Sequence, residues 1–139
     1  MYLQRNVDRP GLRRRRRIRR VIKDTAAYIK ITERFGSPLF LILEIHTPTA
    51  AKRDTWFPGW PQRIKHLNDD LRQLVAELDS PDVRFVEITD MMDRFDDPTA
   101  EGLWPDGIHF IPEFHRAVGE RLAGIAEEWA SGQSHLAKP

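Results

Sequence analysis

From Leu12 to about Arg34 apolar residues recur at helical spacing, with Ile18, Val21, Ile22, Ala26 and Ile29 on one face. Gly36, Ser37 and Pro38 close that helix, glycine suiting the left-handed cap. Leu39 to Ile45 is then almost uninterruptedly apolar between turn signals, the pattern of a short strand covered on both faces. Residues 46–62 read as a loop, because Pro48, Pro58, Gly59 and Pro61 oppose regular structure. A second helix is expected from about Pro61 to Leu78, with Ile64, Leu67, Leu71, Leu74 and Val75 inward. After the turn Ser80-Pro81-Asp82, Val83 to Ile88 alternates as a strand with one exposed face. Residues 89–111 form an acidic loop, and a last helix starts near Pro112, carrying Phe114, Val118, Leu122, Ile125 and Trp129 at three- and four-residue steps. Residues 1–11 read as a polar lead-in and 131–139 as a flexible tail.

The order helix, strand, helix, strand, helix predicts an α/β fold with parallel strands, laid out as one domain over residues 12–130. Two strands make a thin sheet. The 39–45 strand would keep an unpaired edge unless more chain, a second copy or a complementing chain covered it. A 40% hydrophobic share over 139 residues suits a globule of two or three layers. Cysteine is absent, which excludes disulfides and thiolate metal sites. No apolar run approaches the roughly 20 residues of a membrane helix, so no span is expected. The Arg run is not followed by an apolar stretch and a cleavage site, which leaves the cytoplasm as the default compartment.

A net charge of +1 conceals an asymmetry: residues 1–34 hold 12 Lys and Arg against 3 Asp and Glu, a net +9. Arg13 to Arg17, with Arg19 and Arg20, could meet the phosphates of a nucleic acid or another anionic partner. No aromatic residue is interleaved for base stacking and the opposite face is apolar, so a solvated charge run is the reading preferred.

The chemistry concentrates in Trp104-Pro105-Asp106-Gly107-Ile108-His109-Phe110-Ile111-Pro112, between the second strand and the last helix. Ligands of open parallel sheets bind outside the carboxyl ends of the strands, where such a loop lies. Asp106, three residues before His109, can accept the imidazole Nδ1 proton within one turn and leave Nε2 as a general base. Gly107 permits the bend. An Asp-x-x-His pair alone is a common accident. Its surroundings add more: from Pro105 through Pro112 to His115-Arg116 and Gly119-Glu-Arg-Leu122, the string resembles the closing block of SGNH/GDSL-type esterases.

That resemblance spans about residues 12–130 and is motif-specific only over 105–122. It implies a flavodoxin-like three-layer fold of five parallel strands, of which this chain would hold the last two. It implies ester hydrolysis or acyl transfer by a Ser-His-Asp mechanism, with His109 as base, Asp106 as its orienter, a small ester or acyl substrate, and no cofactor. The family's Gly-Asp-Ser nucleophile and Gly-x-Asn-Asp segment have no clear counterpart. Ser37, Ser80, Ser131 and Ser134 are the only serines, and none occupies a strand-to-helix turn. Asn6 stands at about the spacing of the family's oxyanion Asn but without its neighbours. The front half, with the nucleophile, would then lie outside this chain, and the chain alone would be inactive.

Other candidates follow from position. His46 ends the first strand and could touch substrate or serve as a hydrogen-bonded loop residue. Trp56, Phe57 and Trp60 could wall an acyl pocket or cap the sheet end. His66 and His115 have no second His or Cys at helical spacing, and Asp90, Asp93, Asp96 and Asp97 lack the glycine and closing Glu of a calcium loop. No metal site is expected.

Overall fold

A computed structural model describes residues 10–36, 38–50 and 59–136, with side chains from 19–36, 38–50 and 59–133. The chain divides into two compact units, residues 1–37 and 38–139, so the expected 12–130 span falls across both.

The first unit is helix α1, Pro10–Glu33. It begins two residues before the expected start. Pro10 is tolerated there because its fixed φ suits the first helical position and the N–H it lacks would have no partner. Phe35 and Gly36 donate back to the carbonyls of Thr32 and Glu33, and Gly36 takes a left-handed φ of 97°. Val21, placed on the apolar face by its spacing, is exposed, as are Tyr28 and Ile31. A lone helix has no second element within its own unit to cover such residues.

The second unit is built on a two-stranded parallel sheet of β1, Phe40–Leu43, and β2, Val83–Val86, in the register Phe40↔Val83 to Leu43↔Val86. Parallel neighbours need a crossover, supplied by α2, Trp60–Leu78, which opens with Pro61 in its first turn and ends at Asp79 in the left-handed conformation. Side chains alternate across the sheet. On one face Ile42 and Phe85 meet α2, whose Arg72 guanidinium lies 4.7 Å over the Phe85 ring. On the other, Leu43 packs against a cluster of Ile88, Met91, Leu103, Trp104, Phe114 and Val118, the last two from α4, Pro112–Leu136. Helix, sheet and helix thus stack as three layers, a mixed α/β arrangement around a small parallel sheet.

Several expectations change here. β1 is four residues long, and of these only Ile42 is buried, because a strand with one neighbour cannot be covered like the centre of a wide sheet. Residues 89–111 are not irregular throughout: they contain a 3-10 helix, Thr89–Arg94, and a short helix α3, Ala100–Leu103. Met91 and Leu103, each 1% exposed, anchor these turns in the core, and the Thr99 hydroxyl accepts the Gly102 N–H as the cap of α3. Helix α4 continues through Leu136, past the expected end near residue 130. Arg121 fastens it to the Glu87 carbonyl at 2.6 Å, and the Trp129 indole N–H donates to Asp82 at the opposite rim at 2.7 Å. Among the described residues no helix is long and apolar enough to cross a membrane.

Beyond its last paired residue β1 is finished by side chains. Asn68 of α2, 5% exposed, donates to the Ile45 carbonyl at 2.9 Å and accepts the Ile45 N–H at 3.0 Å. Both backbone groups of Ile45 are satisfied by one amide, as a neighbouring strand would satisfy them.

Candidate functional site

The segment from Trp104 to Ile111 leaves the carboxyl rim of the sheet as a closed loop. At its base the Ile111 N–H donates to the Leu103 carbonyl at 2.8 Å, and the Gly107 N–H closes a turn on the Trp104 carbonyl at 2.8 Å. Pro105 fixes φ inside that turn, and Gly107 leaves it at φ 88°, a conformation that disfavours a side chain.

The turn aims the Asp106 carboxylate back along its own chain. Oδ1 accepts the N–H groups of Ile108 at 2.8 Å and His109 at 2.7 Å, while Oδ2 accepts the Nδ1–H of His109 at 2.6 Å. These donors, the His109 amide first and its imidazole second, hold the Asp106 carboxyl well below the usual carboxylate range. An ionised carboxylate can only accept, so Nδ1 carries a proton, and in the neutral ring the lone pair is on Nε2. The imidazole is 77% exposed, and among the described residues nothing hydrogen-bonds to Nε2. Chemically the pair is an oriented base facing solvent.

Three contacts tie this loop and α3, which leads into it, to the segment that leaves β1. The Trp104 indole N–H donates to the Thr47 carbonyl at 2.8 Å, and the Ala50 N–H donates to the Glu101 carboxylate at 2.9 Å. His46 Nε2 lies 3.0 Å from the Ile108 carbonyl oxygen. Its ring packs against Trp104 and Phe110, with centroids 4.8 and 4.7 Å away, and those two rings meet each other at 5.6 Å. Burial lowers the His46 pKa, partly offset by its bond to Ile108.

Beside this loop lies a second carboxylate that the sequence did not single out. Glu44, 7% exposed at the end of β1, accepts the N–H groups of Ile88 and Thr89 at 2.8 and 3.0 Å, the Thr89 hydroxyl at 3.0 Å, and Arg72 at 3.3 Å. Arg72 also bonds Glu87 at 2.8 Å and Asp69 at 3.1 Å, making it the hub of three acids. A signal was present: Glu44 is the one charged residue in the apolar stretch 39–45, and a charge buried there requires partners.

Of the residues expected at the site, Asp106 and His109 are brought together, with His46 under their loop. Trp60 opens α2 and is half-buried. Trp56, Phe57 and Asn6 lie outside the described residues, as does Ser37. Ser80 lies in the turn entering β2, at the rim opposite Asp106, and Ser131 near the end of α4 bonds the Glu127 carbonyl at 2.9 Å. Ser134 continues α4, its side chain outside the described residues. Asp90 pairs with Arg121, His115 packs its ring on Phe110, and His66 is exposed on α2. Among the described residues no cluster of three or more His, Asp or Glu side chains is arranged to hold a metal ion. Comparison with known proteins finds no match to this chain, whether among family models, curated proteins or solved structures.

Proposed function

We propose that Asp106 and His109 form the base half of a Ser-His-Asp site for ester hydrolysis or acyl transfer, carried on part of a flavodoxin-like α/β sandwich. The observation that carries this reading is the 2.6 Å contact from His109 Nδ1 to Asp106 Oδ2, which leaves Nε2 open to solvent. A hydroxyl nucleophile within hydrogen-bond reach of Nε2 would give up its proton as it attacks the ester carbonyl. Asp106 then steadies the imidazolium, and His109 returns the proton to the departing alkoxide. A water deprotonated by the same Nε2 releases the acyl group.

The nucleophile and the oxyanion donors are assigned to sequence outside this chain, so the chain alone is expected not to turn over esters. The substrate class is a small carboxylic ester. To test this, the chain is expressed together with its immediately upstream coding sequence and assayed on p-nitrophenyl acetate. A strand followed by Gly-Asp-Ser is expected upstream, and His109→Ala should lower kcat/KM by about 10³-fold. Hydrolysis indifferent to His109→Ala, or an upstream sequence without that nucleophile turn, would reject the reading.

A further inference from the structure

The peptide group between Ile108 and His109 is held at both ends. Its N–H, belonging to His109, donates to Asp106 Oδ1 at 2.7 Å, and its carbonyl oxygen, belonging to Ile108, lies 3.0 Å from His46 Nε2. A carbonyl oxygen can only accept, so His46 carries a proton on Nε2 and donates it. We propose that His46 is a positioning residue for His109: it clamps the one peptide plane whose rotation would withdraw the His109 amide from Asp106 and swing the imidazole away from its carboxylate.

Three observations support the assignment. The His46 ring packs against both Trp104 and Phe110, which also touch each other, so the ring is held on one side by a joined aromatic pair. Trp104 is itself 2% exposed and fixed through its indole N–H to Thr47, one residue beyond His46, so the packing and the clamp share one support. The loop also needs an outside restraint. Asp106 and His109 are 55% and 77% exposed, and hydrogen bonds made only within three residues of chain do not fix a loop against water. His46 reaches the loop from a position 62 residues away and supplies that restraint. A donor on a carbonyl also makes the attached N–H a better donor, which tightens the bond to Asp106. His46 touches no reacting atom. Its part in catalysis rests on the proposed esterase reading, but its effect on the pair does not.

The test uses the full 139-residue chain and two variants. His46→Phe keeps a ring for Trp104 and Phe110 but removes the donor; His46→Gln restores an amide N–H at similar reach. Both are checked for native amide dispersion by NMR, and if His46→Phe fails that check, His46→Gln and the wild type are compared alone. His46→Phe is expected to raise hydrogen exchange at the His109 amide about tenfold, as loss of one supporting hydrogen bond implies. It should also erase the downfield Nδ1–H resonance of His109, and His46→Gln should recover both. An unchanged resonance and exchange rate in folded His46→Phe would overturn the proposal, as would a folded His46→Gln that loses both. Neither measurement involves an ester, so failure of the esterase assay leaves this result standing and the reverse also holds. In the completed enzyme the same His46→Phe change should lower kcat by about 10²-fold with little change in KM.

Discussion

Glu44 and Asp106 sit at the same rim of the sheet, and each accepts two consecutive backbone N–H groups together with a side-chain donor. Glu44 does so across 44 residues of chain and is 7% exposed, whereas Asp106 bonds only within three residues and is 55% exposed. The same acceptor geometry therefore performs different work. Burial makes the bond from the Ile88 N–H to Glu44 costly to lose, because that donor would have no water to turn to. Exposure leaves Asp106 contributing little to the fold, and its geometry is spent on the state of one imidazole. A carboxylate that organises a neighbour without holding up the structure is what an oriented base requires.

Removing each carboxylate separates the two roles. Glu44→Ala should destabilise the second unit by about 3 kcal/mol, stranding the buried Ile88 N–H and leaving Arg72 with two of its three acids, as read by urea denaturation. Loss of less than about 0.5 kcal/mol, the range of ordinary surface changes, would show that water replaces the carboxylate without penalty. Gly102→Ala probes the cap of α3, which leads into the loop of Asp106 and His109. A Cβ there would collide with the Asp97 Cγ and meet the Asp97 carbonyl oxygen at 2.6 Å, and the carboxylate cannot move without disturbing Thr99. The expected cost is about 2 kcal/mol, and a variant as stable as the parent would mean that the Asp97 turn shifts freely.

Trp104→Phe removes the indole N–H from the Thr47 carbonyl while keeping a ring in the core. It should cost about 1 kcal/mol, and no cost would place that bond among those water can replace. Asp106→Asn should disturb stability least of all, leaving the unfolding midpoint near that of the parent while the downfield imidazole resonance disappears. Because the folded Asp106 carboxyl lies below the ~3.9 of an unfolded Asp, its clasp is fully formed above that pH. It is lost only as pH falls through the lower folded value. The resonance should therefore survive acidification from about pH 7 to about pH 4. Disappearance across that interval would show that the carboxylate is not held by its three donors.

What was legible in the sequence was local. Helical spacing marked α2 close to its observed bounds and α4 at its start though not its end, and Asp106-Gly107-Ile108-His109 announced its carboxylate–imidazole contact because that bond closes within three residues. What was not legible depended on distant partners. Glu44 receives donors from Ile88 and Thr89, and Asn68 finds the backbone of Ile45 only once α2 has crossed over the sheet. The incomplete burial of Phe40, Leu41 and Leu43 escaped for the converse reason: an apolar run shows that a strand can be covered, not how many neighbours it has. His46 was visible as a candidate, but its engagement with Ile108 was not, since nothing near it in sequence hints at a carbonyl 62 residues on.

The amide of Asn68 has a geometric consequence for growth of the sheet. The N–H groups of Phe40 and Glu44 turn inward to Asp82 and Val86, so the alternate residues Leu41, Leu43 and Ile45 face the other way. With Ile45 already engaged, any strand added along that side can ladder onto Leu41 and Leu43 and must stop there. Asn68 thus acts as a terminus marker: it occupies the backbone groups of Ile45 and ends pairing along that side of β1 at Leu43.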